Sequence, residues 1–191
     1  MTMMRSFAIA AMLVSAPAQH LVEGNPAATV RVIIYEDLQC PDCAAFRRML
    51  DEKILPRYGA QAAFEHRDFP LAKHAWSRKA AIAARFFEQT SPELALAFRK
   101  HALGNLRQIT AANFDERLAA FATQNGADPQ TALAALTEAR YAELVEKDLQ
   151  EGVARGVAKT PTVFVDGTPF IETFTFEEVS KALEAAVAAA K

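Results

Sequence analysis

The chain has 191 residues, 51% of them hydrophobic and 23% charged, with a formal net charge of −2. That is enough apolar material for one compact domain with its own core. The near-neutral balance lacks the clustered Lys/Arg surface that phosphate neutralisation requires, which sets nucleic-acid binding aside.

The first eighteen residues differ from the rest. Arg5 is their only charge, followed by the apolar run from Phe7 to Val14 and then by Ser15-Ala16-Pro17-Ala18. A cation, a short apolar stretch and a small-x-small ending predict a secretory signal peptide over 1–18, with Gln19 as the mature N-terminus and a periplasmic or otherwise extracytoplasmic location. The run falls short of the roughly 20 apolar residues that span a bilayer.

Gln19 to Ala28 is polar and carries Gly24, Asn25 and Pro26, so it predicts a loop. Thr29 to Tyr35 is β-branched and largely apolar, the pattern of a buried strand. Pro41 suits the first turn of a helix, where a missing N–H costs nothing. Phe46, Met49, Leu50 and Ile54 recur at helical spacing toward Gly59, and Pro56 predicts a kink in the last turn. A second strand is expected over Ala62 to Arg67. From Lys73 to Arg155 the composition turns alanine-rich, predicting four or five helices and no strand. Ser91-Pro92 and Asp128-Pro129 read as N-caps followed by proline at the first helical position, and Thr110 as the cap of a helix stopping near Gly126. Trp76, Phe86, Phe87 and Phe98 are expected to pack this block.

The β pattern returns at Pro161 to Val165, with Asp166-Gly167 as a hairpin turn and Thr168 to Ile171 as the partner strand. Thr175 and Glu178 form a capping box that opens a final helix. Strand, helix, strand, helical block, hairpin and helix together predict an α/β sandwich with a helical insertion.

The only two cysteines lie within Cys40-Pro41-Asp42-Cys43. A structural staple is a poor account of them, because a disulfide stabilises chiefly by closing a long loop and this one would enclose two residues. A cysteine at a helix N-terminus faces unpaired backbone N–H groups and the positive end of the helix dipole. Both favour the thiolate, the form that attacks disulfides. A competing reading makes the pair soft ligands of a metal-binding module, but no second cysteine pair or suitable histidine spacing accompanies them. His66, His74 and His101 default to surface or core positions.

Three segments, Tyr35 to Cys43, Arg67 to Leu71 and Gly156 to Gly167, resemble the DsbA-like branch of the thioredoxin superfamily. The resemblance covers about Thr29 to Ala190. It implies a thioredoxin fold with an inserted all-helical domain, the core lying at about 29–71 and 156–191 and the insertion at about 72–155, within a mature domain 19–191. It also implies dithiol–disulfide exchange with protein substrates. Cys40 matches the attacking cysteine, Cys43 the resolving one, Pro161 the cis-proline facing them, and Thr160 the residue before it. No cofactor or metal is implied; a membrane-bound redox partner is usual. Oxidation of substrates is the expected direction, with reductase or isomerase activity as the alternative.

Two positions depart from the family pattern. Ile34 stands where a buried acid is common, leaving Glu36 or water to handle the resolving cysteine's proton. Asp42 stands where strong oxidases tend to carry histidine, and its carboxylate is expected to raise the Cys40 pKa by about one unit. Pro41 and Asp42 are thus the expected redox-tuning positions.

Overall fold

The computed structural model describes residues 20–190. The expected signal peptide, 1–18, and the expected mature start, Gln19, lie outside them. Strands β1 (Val22–Gly24), β2 (Val30–Glu36), β3 (Ala62–Asp68), β4 (Thr162–Val165) and β5 (Thr168–Ile171) form a central five-stranded sheet in the order β1-β3-β2-β4-β5. β2 pairs in parallel with β3 and antiparallel with β4. β4 continues antiparallel into β5 through Asp166 and Gly167, both at positive φ as a tight hairpin turn requires.

The parallel β2–β3 pair needs a crossover, supplied by α1 (Pro41–Met49) and α2 (Leu55–Tyr58). The kink expected at Pro56 is instead a π-helical stretch, Leu50–Ile54, immediately ahead of it. The Leu55 N–H reaches the Leu50 carbonyl, and this wider turn absorbs the break in the α-helical ladder that a proline imposes.

The loop expected over 19–28 holds a short strand, β1 (Val22–Gly24), antiparallel to the outer edge of β3. The Leu21 carbonyl accepts a hydrogen bond from His66 N at 2.9 Å. Three residues ending in glycine give too little local pattern to read as a strand, and the open edge of β3 is what organises them.

The insertion comprises α3 (Ser77–Thr90), α4 (Pro92–Gly104), α5 (Phe114–Gln124), α6 (Pro129–Ala135) and α7 (Ala139–Ala154). Ser91 and Asp128 cap α4 and α6 as expected, accepting from Leu94 N at 3.2 Å and Thr131 N at 2.8 Å. α5 starts later than expected, with Asn113 at its N-cap. Thr110 lies one turn earlier and accepts from Asn113 N. α8 (Phe176–Ala189) opens on the complete Thr175–Glu178 capping box.

The core divides into clusters. One face of the sheet packs Val32, Ile34 and Val163 against Phe46 of α1 and Leu183 of α8. The opposite face buries Tyr35, Phe69 and Val157. Gly152 of α7 comes so close here that a Cβ would lie 2.7 Å from the Phe69 ring. The largest cluster fills the helical insertion with Trp76, Phe86, Phe87 and Phe98, and it also contains Leu38, Cys40 and Cys43. The cysteine pair therefore sits where the insertion meets the sheet domain.

Candidate active site

Cys40 is the N-cap of α1, in extended backbone with Pro41 at the first helical position. Cys43 lies one turn in, 1% exposed against 5% for Cys40, and both are free thiols. The Thr160–Pro161 bond is cis. The Cys40 thiol donates to the Thr160 carbonyl at 3.3 Å. Cys40, Thr160 and Pro161 thus come together from opposite ends of the chain.

The Cys40 pKa is lowered to about 6, first by the Cys43 thiol, which donates toward the Cys40 sulfur. Burial opposes this. The Thr160 side chain and the backbone N–H groups of Cys43 and Asp42 add to the lowering. The Thr160 hydroxyl is itself buried and has no other hydrogen-bond partner. Cys43 behaves oppositely: burial, then its position beside Cys40, push its pKa well above the usual thiol range.

The repulsion expected from Asp42 is not among the main influences on Cys40. Its side chain is exposed, where water screens it, while its backbone N–H points the helix terminus at the sulfur and lowers the pKa. Asp42 lines a cleft of about 370 Å³ with Cys40, Leu71, Lys73, Lys159, Thr160 and Glu172. In the cleft wall Lys159 pairs with Glu172, and Leu71 contributes an apolar side chain to the lip.

Glu36 closes β2 and Asp37 follows it, and their side chains diverge to different partners. Glu36 accepts from His66 Nδ1 at 2.8 Å and Arg99 at 3.0 Å. Burial works against its charge, but these cations hold its carboxyl below the usual carboxylate range. It is a fixed negative charge beside Cys43, whose pKa it helps raise.

His66 is the link that sequence reasoning missed. Its other nitrogen meets Glu23 at 2.9 Å, so each ring nitrogen faces a carboxylate and the imidazole must donate from both. Burial alone would discharge it, yet the two carboxylates raise its pKa. The charges alternate along Arg47, Glu23, His66, Glu36, Arg99, Asp68, Arg85 and Asp148. This row ties β1, β2 and β3 to α1, α3, α4 and α7. The run Glu65-His66-Arg67-Asp68, four ionisable residues in succession within a strand that is buried along most of its length, was the one available signal. His74 binds Asp37, and His101 is half-buried against Phe121.

A family model described as "Thioredoxin" matches residues 16–185. Among curated proteins, the Na(+)/H(+) antiporter NhaA of Herminiimonas arsenicoxydans is 29% identical over 171 residues, 86% of this chain and 25% of that protein. The chain thus spans a quarter of the length of that relative. Among solved structures, BdbD of Bacillus subtilis superposes with a TM-score of 0.75 at 20% identity, covering 88% of this chain and 93% of that one. The alpha-DsbA1 of Wolbachia pipientis superposes with a TM-score of 0.76 at 20% identity, covering 93% and 96%. With that model matched along nearly the whole chain, on a fold of DsbA-like architecture with two thiols at the head of α1, the protein belongs to the thioredoxin family.

Proposed function

We propose that the protein exchanges disulfides with protein substrates outside the cytoplasm, in the oxidising direction, with Cys40 as the attacked and attacking sulfur and Cys43 as its resolving partner. The observation that carries this reading is the contrast within the pair. Cys40 has a pKa of about 6, so at neutral pH it is mainly thiolate, whereas Cys43 stays a thiol. A stable Cys40 thiolate stabilises the reduced pair and so makes the oxidised pair a better oxidant. The value stays above the roughly 3.5 of the strongest oxidants, which supports a moderately oxidising pair.

In the forward reaction, a substrate thiolate attacks Cys40 of the disulfide and Cys43 leaves. A second substrate thiol then attacks the mixed disulfide, and Cys40 departs as thiolate. Thr160 and Pro161 hold the incoming chain beside Cys40, a role supported by the place of Thr160 in the cleft wall. Pro161 has no N–H with which to close that edge. Pro41 and Asp42 tune the pair by starting the helix at the sulfur. A core over 29–71 and 156–191 with an insertion over 72–155 describes the division of labour. Export by the segment 1–18 and reoxidation by a membrane-bound partner complete the proposal. Among the described residues no helix is long and apolar enough to cross a membrane. Nor does any group of three or more His, Cys, Asp or Glu side chains among them have the arrangement of a metal site.

The test is capture. Cys43→Ser in a secreting host should accumulate mixed disulfides with substrate proteins through Cys40, and Cys40→Ser should accumulate none. Mass spectrometry of the wild-type product should find a chain starting at or near Gln19. Captures through Cys43 instead of Cys40 would reverse the roles, and an unprocessed cytoplasmic product would remove the compartment.

A further inference from the structure

Asp37 is 1% exposed, yet its carboxylate is fully occupied. Oδ1 accepts from Gln39 N at 2.7 Å and Ser77 Oγ at 2.6 Å. Oδ2 accepts from Leu71 N at 2.8 Å and His74 Nδ1 at 2.7 Å. The donors come from the active-site turn, the cleft lip after β3 and the start of α3. The N–H of Asp37 itself points elsewhere, to the Cys43 sulfur at 3.4 Å. Burial, Cys40 and Glu36 all disfavour charge on that sulfur, and the Asp37 N–H opposes them.

We infer that Asp37 is the positioning residue for the resolving sulfur: its carboxylate pins the peptide whose N–H stabilises Cys43 whenever that sulfur carries negative charge. The inference rests on the exchange reaction proposed above. In that reaction a substrate thiolate forms a new S–S bond to Cys40 while the Cys40–Cys43 bond breaks. The bonding pair leaves on Cys43, so the substrate sulfur is oxidised and Cys43 is reduced to a thiolate, which then takes a proton from water. In the reverse step the Cys43 thiolate attacks Cys40 and expels the substrate thiolate. Both directions pass through a state with charge developing on Cys43. A donor already aimed at that charge, held by four hydrogen bonds, lowers the barrier without reorganising at the moment of reaction. An asparagine at 37 has one acceptor oxygen and cannot satisfy both pairs of donors.

The measurement is the resolving step alone. Reduced protein is mixed with oxidised glutathione, quenched in acid at intervals, and the Cys40–glutathione mixed disulfide and the final disulfide are counted by mass spectrometry. Asp37→Asn should accumulate the mixed disulfide and release glutathione about tenfold more slowly, the scale for one hydrogen bond to a developing charge. The alkaline limb of that rate should move to higher pH, because Cys43 loses its only opposing donor among these influences, while Cys40 alkylation stays within about twofold. Ser77→Ala, which retains three of the four bonds, should slow the same step by a smaller factor and decides the matter if Asp37→Asn does not fold. Wild-type rates and pH profiles in the variants would overturn the inference. A wild-type protein that forms neither the mixed disulfide nor the disulfide would overturn the exchange reading itself.

Discussion

The Thr160 carbonyl lies 3.3 Å from the Cys40 sulfur although the two residues stand 120 positions apart. This contact and the helix terminus define two sides of the reactive thiol, one made by the loop before β4 and the other by the first turn of α1. A reagent reaching Cys40 enters between them, along the cleft lined by Leu71 and Lys73.

Alkylation of the reduced protein by iodoacetamide should therefore follow one ionisation, with a midpoint at about pH 6 at Cys40. No second inflection should appear below pH 9, because Cys43 is pushed above its usual value of 9.0. At pH 7 only the part of the Cys40 stabilisation between pH 6 and 7 is realised, about 1.4 kcal/mol or roughly 30 mV for the two-electron couple. A midpoint near that of a free thiol would remove the basis for the oxidising direction.

Asp42→His should lower the Cys40 pKa by about half a unit and raise the reduction potential by roughly 15 mV. The change is small because the side chain at 42 is exposed, while the backbone N–H that acts on Cys40 is retained. Ultraviolet absorbance of the thiolate and equilibration against glutathione measure the two quantities. A shift of several units would restore the carboxylate as a principal influence.

Glu36→Gln distinguishes a fixed charge from a proton acceptor. Glutamine keeps an acceptor for His66 and Arg99 but removes the charge that raises the Cys43 pKa. The Cys43 pKa should fall, and resolution of a Cys40 mixed disulfide at neutral pH should become faster by a few-fold. Slower resolution in a folded variant would instead identify Glu36 as the group that takes the Cys43 proton.

Glu23 links acidity to folding. Burial opposes its charge, but His66 and Arg47 lower its pKa from 4.5 to about 2. Since the folded value lies below the unfolded one, its stabilisation is present above pH 4.5 and is lost as pH falls toward 2. The shift corresponds to about 3 kcal/mol. Urea unfolding across that window should show a steeper loss in the wild type than in Glu23→Gln, which keeps the other buried carboxylates but has no titrating group at position 23. Parallel curves would show that Glu23 titrates alike in both states.

Gly152→Ala tests packing against intrinsic preference. Alanine is the better helix former by about 1 kcal/mol. Here its Cβ would meet the Phe69 ring at 2.7 Å and the Tyr35 ring at 2.9 Å. Forcing those rings off a packed sheet face costs about 1–3 kcal/mol, so the variant should melt several degrees lower despite the helix gain. An unchanged melting temperature would show that the face yields.

The amino-acid order settled the features whose partners lie a few positions away. The helix started by Pro41 behind Cys40, the Ser91, Asp128 and Thr175 caps and the Asp166-Gly167 hairpin each depend on a handful of adjacent backbone groups, and all are visible as local patterns. The resemblance carried by three segments extended this to the thioredoxin fold and to Thr160-Pro161 opposite the cysteines. Tertiary structure alone decided the rest. β1 exists because β3 offers an edge, and the π-helical stretch because Pro56 must be accommodated within a packed crossover. Glu36 finds Arg99 across 63 positions, and Asp37 finds Ser77 across 40. A polar side chain in an unfolded chain is satisfied by water, so its type does not specify a partner. Only when packing removes that water must each buried charge and donor be matched, and the matches are then set by which elements the fold brings together.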